Sequence, residues 1–87
     1  MRFEFDAAKS DANLAKHGID FEMAQELWRD VEGLVVPSRH PKEPRKLLIA
    51  QREGKLWTAI FTDRGEAIRI ISARRSRDDE RTAYYEQ

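Results

Sequence analysis

Six arginines within eighteen residues near the end of the sequence are its strongest chemical signal. The guanidinium group stays charged when partly buried, and it binds phosphate through two parallel hydrogen bonds. Such a cluster can hold an RNA backbone and offset the charge that develops on phosphorus during cleavage. Alternatively, it is a solvated surface on which Asp78, Asp79 and Glu80 pair with the arginines. The six residues are Arg64, Arg69, Arg74, Arg75, Arg77 and Arg81.

Candidates for proton transfer and base contact are fewer. His17 follows Lys16 near the end of a predicted helix. Its imidazole can act as a general acid or base, or it can interact with the last carbonyls of that helix. Tyr84, late in the last predicted helix, can stack on an RNA base or pack against the sheet. The two histidines fall on different elements and cysteine is absent, so no metal-binding spacing occurs.

The first half of the sequence predicts one strand and two helices. Residues 3–5 alternate apolar with charged, which is typical of a short strand, and Asp6 is suited to cap the following helix. Helix-forming residues then run to His17, and Gly18 stands where a left-handed residue would end that helix. Asp20 can cap a second helix. The apolar stripe of that helix contains Phe21, Met23, Ala24, Leu27 and Trp28.

Four short strands are predicted next. The first, residues 34–36, ends before three prolines, which indicates an irregular loop. Gly54 and Gly65 each stand third in a four-residue connector, which favours a type I turn followed by a left-handed residue. The loop contains Arg39, His40, Lys42 and Glu43, and the three later strands cover residues 46–51, 56–62 and 67–73.

A final helix completes an α+β arrangement. Ser76 precedes Asp79 by three residues, a weak capping-box pattern that predicts a helix through Tyr84 and Tyr85. The order β-α-α-β-β-β-β-α over residues 1–87 predicts one domain, with helices covering one face of an antiparallel sheet of four to five strands. Strict alternation along the last strand would place Arg69 and Arg75 on one face and Arg74 on the other.

Composition excludes several functional classes. The chain has 87 residues, 40% of them hydrophobic, which is enough for one small core but not for two catalytic domains. The absence of cysteine argues against a secreted disulfide scaffold. Because no apolar run approaches a membrane span and the start is too acidic for a signal peptide, we expect a cytoplasmic protein. Residues 1–43 carry a net charge of −3 and residues 44–87 carry +3, so a nucleic-acid surface should lie in the second half.

Three segments together resemble the BrnT toxin family. They are Phe-Glu-Phe-Asp at residues 3–6, the stretch from Asn13 to Ala24, and the stretch from Thr62 to Arg75 that contains Ile-Arg-Ile-Ile-Ser-Ala-Arg-Arg. The resemblance implies a RelE-like ribonuclease fold and a toxin of a type II toxin–antitoxin operon. It further implies an endoribonuclease that inhibits translation and is neutralised by a BrnA-like antitoxin, which alone contacts operator DNA.

This resemblance suggests roles for the candidate residues. A ribonuclease that works without metal or cofactor needs a base for the ribose 2′-hydroxyl and cations for the phosphorane. The expected catalytic residues are Arg64, Arg69, Arg74, His17 and Glu66, and the expected RNA-binding residues are Arg75, Arg77, Arg81, Lys16 and Tyr84. Two alternatives stay open: a non-catalytic module that binds a protein or nucleic acid through the same arginines, and a toxin homologue that has lost activity.

Overall fold

The predicted order of elements is confirmed. A computed structural model describes residues 1–38 and 44–87, so the predicted loop residues Arg39, His40, Lys42 and Glu43 lie outside the described residues. The strands are Arg2–Glu4 (β1), Leu34–Pro37 (β2), Lys46–Arg52 (β3), Lys55–Arg64 (β4) and Ala67–Arg75 (β5). The helices are Ala7–His17 (α1), Phe21–Ala24 (α2) and Asp78–Tyr85 (α3), and a 3₁₀ helix, Gln25–Arg29, continues α2 in place of the single longer helix expected.

The helix boundaries in the first half follow local capping chemistry. The Asp6 carboxylate accepts a hydrogen bond from the Lys9 N–H at 3.0 Å, and Asp20 accepts one from the Met23 N–H at 2.7 Å. Both side chains satisfy a backbone donor that has no partner within its helix. Gly18 ends α1 with φ +79°, a conformation that glycine adopts without steric cost. These three predictions are confirmed.

The sheet is mixed rather than purely antiparallel. Its strand order is β1-β5-β4-β3-β2, in which β2 to β5 form the expected antiparallel meander. The exception is β1, which pairs parallel with β5 through Arg2–Ala67, Phe3–Ile68 and Glu4–Arg69. A parallel neighbour requires a long crossover connection, and here the helices and the rest of the sheet supply it.

Both later hairpins turn through two residues and not through the predicted type I turn. In the β3–β4 hairpin, Glu53 and Gly54 both have positive φ, as a type I′ turn requires. In the β4–β5 hairpin only Gly65, the first loop residue, has positive φ, which is the requirement of a type II′ turn. These turns match the right-handed twist of the strands, whereas a type I turn would splay them.

The main core lies on one face of the sheet, here called the core face. Ile19 before α2, Ala24 at the end of α2 and Leu27 in the 3₁₀ helix are fully buried against it. The sheet contributes Leu48, Ala50, Trp57, Ala59, Phe61, Ile68 and Ala73. Trp28 packs edge-on against Phe3 and Phe61, with ring centroids 5.1 and 5.2 Å apart. The 3₁₀ helix therefore contacts β1 as well as the central strands.

The opposite face, here called the open face, is covered by the described residues at one end only. There Tyr84 of α3 packs on Ile49 and Leu56, with Leu34 and Val36 beside them. The expectation that the helices share one face is wrong, because α3 packs through Tyr84 on the face opposite to the main core. The cap of α3 also differs from the prediction: the helix starts after Arg77, and the Arg77 N–H donates to Glu80.

A bulge in β5 changes which arginines share a face. Ile60 pairs with Ser72, but Phe61 pairs with Ile70, so Ile71 has no opposite residue on β4. The extra residue inverts the alternation of side chains before it. Arg69 pairs with Thr62, and Arg74 pairs with Thr58. Because directly paired residues lie on the same face, both arginines lie on the open face, and the predicted separation of the two is wrong.

Candidate nucleic-acid interface

A basic groove lies at the uncovered end of the open face, where β4 ends and β5 begins. Its volume is about 430 Å³. We call it the Arg69 groove. Its lining consists of Lys9, Pro44, Arg45, Thr62, Asp63, Arg64, Arg69 and Ile71. Four of these side chains are cationic, so the groove is suited to an anion.

Carboxylates of the described residues do not neutralise every cation of the Arg69 groove. Asp63 is held by Lys46 at 2.6 Å, and Arg64 only approaches Glu4, at 4.0 Å. Arg69 is half-buried, yet its side chain has no hydrogen bond or ion pair within residues 1–38 and 44–87. Withdrawing a charge from water is costly unless a partner compensates it. The position of Arg69 is therefore typical of a site that binds an anionic ligand.

Arg74, farther along the open face, is committed to the fold. Its two terminal nitrogens donate to the Glu80 carboxylate at 2.8 and 2.9 Å, and Glu80 is only 8% exposed. Thr58 and the Arg77 N–H also donate to Glu80, at 2.9 and 2.8 Å. This bidentate pair joins β5 to α3 and leaves Arg74 few donors for a ligand.

Hydrogen bonds shift the pKa values of both Arg74 and Glu80 in the directions that favour their charged forms. Burial by itself would raise the pKa of Glu80, but the bonds from Arg74, the Arg77 N–H and Thr58 hold the pKa at about 2. The hydrogen bond to Glu80 raises the pKa of Arg74, although burial opposes it. The Arg74–Glu80 pair is therefore ionised at neutral pH. Ser76, which was predicted as a helix cap, instead shares a hydrogen bond with the Thr58 hydroxyl at 2.8 Å.

Tyr84 is also a structural residue. Its ring is buried, and its hydroxyl donates to the Asp30 carboxylate at 2.7 Å. Burial, and then the bond to Asp30, raises the pKa of Tyr84 to about 12. Burial would raise the pKa of Asp30, but bonds from the Gln51 N–H, Tyr84 and the Glu32 N–H lower it. The ring is unavailable for stacking on a base, whereas the adjacent Tyr85 is 67% exposed.

A second basic groove lies on the core-face side, between the end of α1 and the β3–β4 turn. Its volume is about 510 Å³. We call it the His17 groove. It is lined by His17, Gly18, Arg52, Glu53, Lys55, Trp57 and Arg75. Arg75 extends over the Trp57 ring, 5.4 Å from its centroid, and its Nε donates to the Leu56 carbonyl at 3.3 Å.

The remaining predicted residues are not part of either groove lining. Lys16 and Arg77 are exposed. Arg81 donates to the Ser76 carbonyl at 2.9 Å and pairs with Asp78. Glu66 is exposed in the β4–β5 turn, beside Arg64 and close in sequence to Arg69. The local structure of Arg77 and Arg81 is that of a helix start.

The structure divides the predicted catalytic set. Arg64, Arg69 and Glu66 share one end of the sheet, whereas His17 lies beyond the other end of β4. With nine steps of about 3.3 Å from Lys55 to Arg64, the two ends are roughly 30 Å apart, so His17 and Glu66 cannot act on one phosphate. The structure therefore does not bring these two candidate residues together.

Sequence reasoning did not identify several lining residues. Lys9 enters the Arg69 groove from α1 and Arg45 enters it from the position before β3, while Lys55 enters the His17 groove from the first position of β4. Each is a single basic residue in an unremarkable stretch of sequence, and only the tertiary arrangement brings it to a groove. Among residues 1–38 and 44–87, no three His, Asp or Glu side chains are grouped as metal ligands, and no helix is long and apolar enough to cross a membrane.

Comparison with known protein families identifies the chain. The model of the family described as "Ribonuclease toxin, BrnT, of type II toxin-antitoxin system" matches residues 5–80, most of the sequence. The chain belongs to the BrnT family. No curated protein matches it significantly. The BrnT match includes the lining of both grooves and the Arg74–Glu80 pair, and it ends before Arg81 and Tyr84.

Membership in the BrnT family gives the basic grooves a functional context. The family consists of ribonuclease toxins, so RNA is the expected ligand of a basic site, and a type II system supplies an antitoxin as protein partner. The family assignment does not distinguish between the two grooves. That distinction depends on the charges and contacts described above.

Proposed function

We propose that the protein is a metal-independent endoribonuclease whose scissile phosphate binds in the Arg69 groove. The observation that supports this proposal is the half-buried Arg69 guanidinium, which has no carboxylate partner in the described part of the chain. A phosphodiester would supply the missing negative charge. Arg64 lies in the same groove and adds a second guanidinium.

Two parts of the reaction, removal of the 2′-hydroxyl proton and stabilisation of the phosphorane, have candidate residues at this end of the sheet. Glu66 accepts the proton of the ribose 2′-hydroxyl, and the resulting oxyanion attacks the adjacent phosphorus. Arg64 and Arg69 donate hydrogen bonds to the non-bridging oxygens and stabilise the phosphorane as its charge increases. The 5′-oxygen leaves and takes a proton from solvent, since the groove is open. The products are a 2′,3′-cyclic phosphate and a 5′-hydroxyl.

The proposal extends to the biological context of the activity. Cleavage of RNA by this groove inhibits translation in the cytoplasm, and a BrnA-like antitoxin neutralises the protein by covering the Arg69 groove. The antitoxin also provides the contact with operator DNA. In support, Ile71 and Pro44 give the groove an apolar component that a protein partner can bury.

The test is RNA cleavage by purified variants. Removing one donor that stabilises a transition-state oxyanion typically lowers kcat by about 10²–10³-fold, and we expect that loss for Arg69→Gln. Arg64→Gln and Glu66→Gln should each also reduce kcat. Arg29→Gln removes the same charge from an exposed residue outside both groove linings and serves as the matched control.

The parent protein should produce cyclic-phosphate ends in the presence of a metal chelator. If Arg69→Gln cleaves RNA as fast as Arg29→Gln does, the Arg69 groove is not the site of cleavage. Circular dichroism of each variant establishes that a loss of activity does not arise from unfolding. Growth of a bacterial host that expresses these variants, with and without the antitoxin, provides the corresponding measurement in cells.

A further inference from the structure

The His17 groove has the features of a second anion-binding site. Arg52 is neutralised by Glu53 at 2.8 Å and lies 3.4 Å from Glu26. The Lys55 ammonium has no hydrogen bond or ion pair to any described residue, and the terminal nitrogens of Arg75 have none either. The groove therefore has two uncompensated cations, with the imidazole of His17 beside them.

Arg75 is held in place before any ligand binds. Its Nε is bonded to the Leu56 carbonyl, and its guanidinium extends over Trp57, which is 8% exposed. These contacts fix the guanidinium while its two terminal nitrogens stay available. A preorganised donor loses less conformational entropy on binding than a mobile surface side chain does.

The composition of the groove favours a phosphate over a protein. Trp57 is its one large apolar residue, and that ring is almost fully buried beneath Arg75. Protein interfaces need an apolar centre that can be desolvated, and this lining offers none. A single-stranded nucleic acid is bound mainly through its phosphates, which a groove of guanidinium, ammonium and imidazole groups can contact.

We infer that the His17 groove binds a phosphodiester of the RNA substrate other than the one that is cleaved. This inference rests on the proposed function, because it takes RNA as the ligand. The two grooves lie at opposite ends of β4, so one strand that contacts both must pass around the sheet. A strand on the order of ten nucleotides falls within the range that single-strand binding sites cover. The groove thus contributes to binding and not to the chemical step.

The test uses a fluorescent single-stranded RNA that is 2′-O-methylated at every position, so it cannot be cleaved through the 2′-hydroxyl. Fluorescence anisotropy at several salt concentrations gives the dissociation constant and its salt dependence. Loss of one charged hydrogen bond should weaken binding about tenfold in Arg75→Gln. Each of Lys55→Gln and Arg75→Gln should reduce the slope of log K against log salt by about 0.7. Arg29→Gln provides the control for charge alone.

Several outcomes decide the inference. With cleavable RNA, Lys55→Gln should raise KM and leave kcat unchanged. Because Lys55 is exposed and unpaired in the described structure, its substitution tests the groove even if Arg75→Gln does not fold. Binding equal to that of Arg29→Gln in both variants would overturn the inference, as would unchanged RNA binding with weakened antitoxin binding. Failure of the proposed function would appear separately, as intact RNA binding without cleavage.

Discussion

Arg69 and Arg74 stand five residues apart on one strand and on one face of the sheet, but their surroundings differ. Arg74 donates two hydrogen bonds to a buried carboxylate, whereas Arg69 faces a groove in which basic groups predominate. The first arrangement joins α3 to the sheet, and the second leaves a cation available to a ligand. The residue type and spacing are therefore insufficient to assign a role, and the partner of each guanidinium decides it.

The largest effect on stability should come from separating the buried pair. Arg74→Ala leaves Glu80 without its cation, and breaking a buried pair from one side typically costs about 3–5 kcal/mol. Chemical denaturation should show this loss in the free energy of unfolding. Arg69→Ala should change the same quantity by less than about 1 kcal/mol, because no pair is broken. Equal losses in the two variants would remove the distinction between the two arginines.

Acid should affect the Arg74 end of the sheet selectively. The pKa of Glu80 is about 2 in the folded protein, compared with an ordinary value of 4.5. The stability that Glu80 contributes is therefore complete above its ordinary pKa and is lost as the pH falls from about 4.5 towards 2. Urea midpoints measured across this range should decrease. Glu80→Gln should be less stable at neutral pH and should show a flatter acid dependence; a profile parallel to that of the parent would contradict the assignment.

Asn13 supports the same part of β5 from outside the sheet. Its amide donates to the carbonyls of Ile19 and Ala73 at 2.7 and 2.8 Å. Asn13→Leu should cost about 2 kcal/mol of unfolding free energy, because two backbone acceptors lose their partner. Hydrogen exchange should then increase around Ala73 more than around Arg69. Uniform exchange along β5 would show that the two ends of the strand do not differ in local stability.

The smallest effect should follow from Tyr84→Phe. The variant keeps the buried ring but removes the hydrogen bond to Asp30, at a cost of about 1 kcal/mol. Because Tyr84 is buried, RNA cleavage should be unchanged. A loss of RNA binding in Tyr84→Phe, with stability preserved, would restore Tyr84 to the interface and extend the functional surface beyond the Arg69 groove.

Local signals predicted the parts of the fold that depend on neighbouring residues. Asp6, Gly18 and Asp20 act through backbone groups within a few positions, so the helix boundaries they set follow directly from the sequence. The direction of β1 depends on a pairing with residues of β5. A three-residue strand contains too little pattern to specify such a partner.

The candidate site was less predictable because it, too, depends on contacts between residues that are far apart in the sequence. The residue types were informative, since arginines line both grooves. Their distribution depends on the bulge at Ile71, which reverses a face assignment made by strict alternation. The role of Arg74 depends on Glu80, whose side chain reaches it only because α3 packs on the open face.

The parallel pairing of β1 has a consequence for the order of events during synthesis. Glu4 and Arg69 are paired although they are 65 positions apart, and the Arg69 groove takes Lys9 from α1 and Arg69 from the last strand. A nascent chain that has not yet released β5 from the ribosome can form the early helices and the β3–β4 hairpin, which are local contacts. It cannot form this groove. The proposed nuclease site is therefore assembled only after β5 has left the ribosome and has joined β1 and α1.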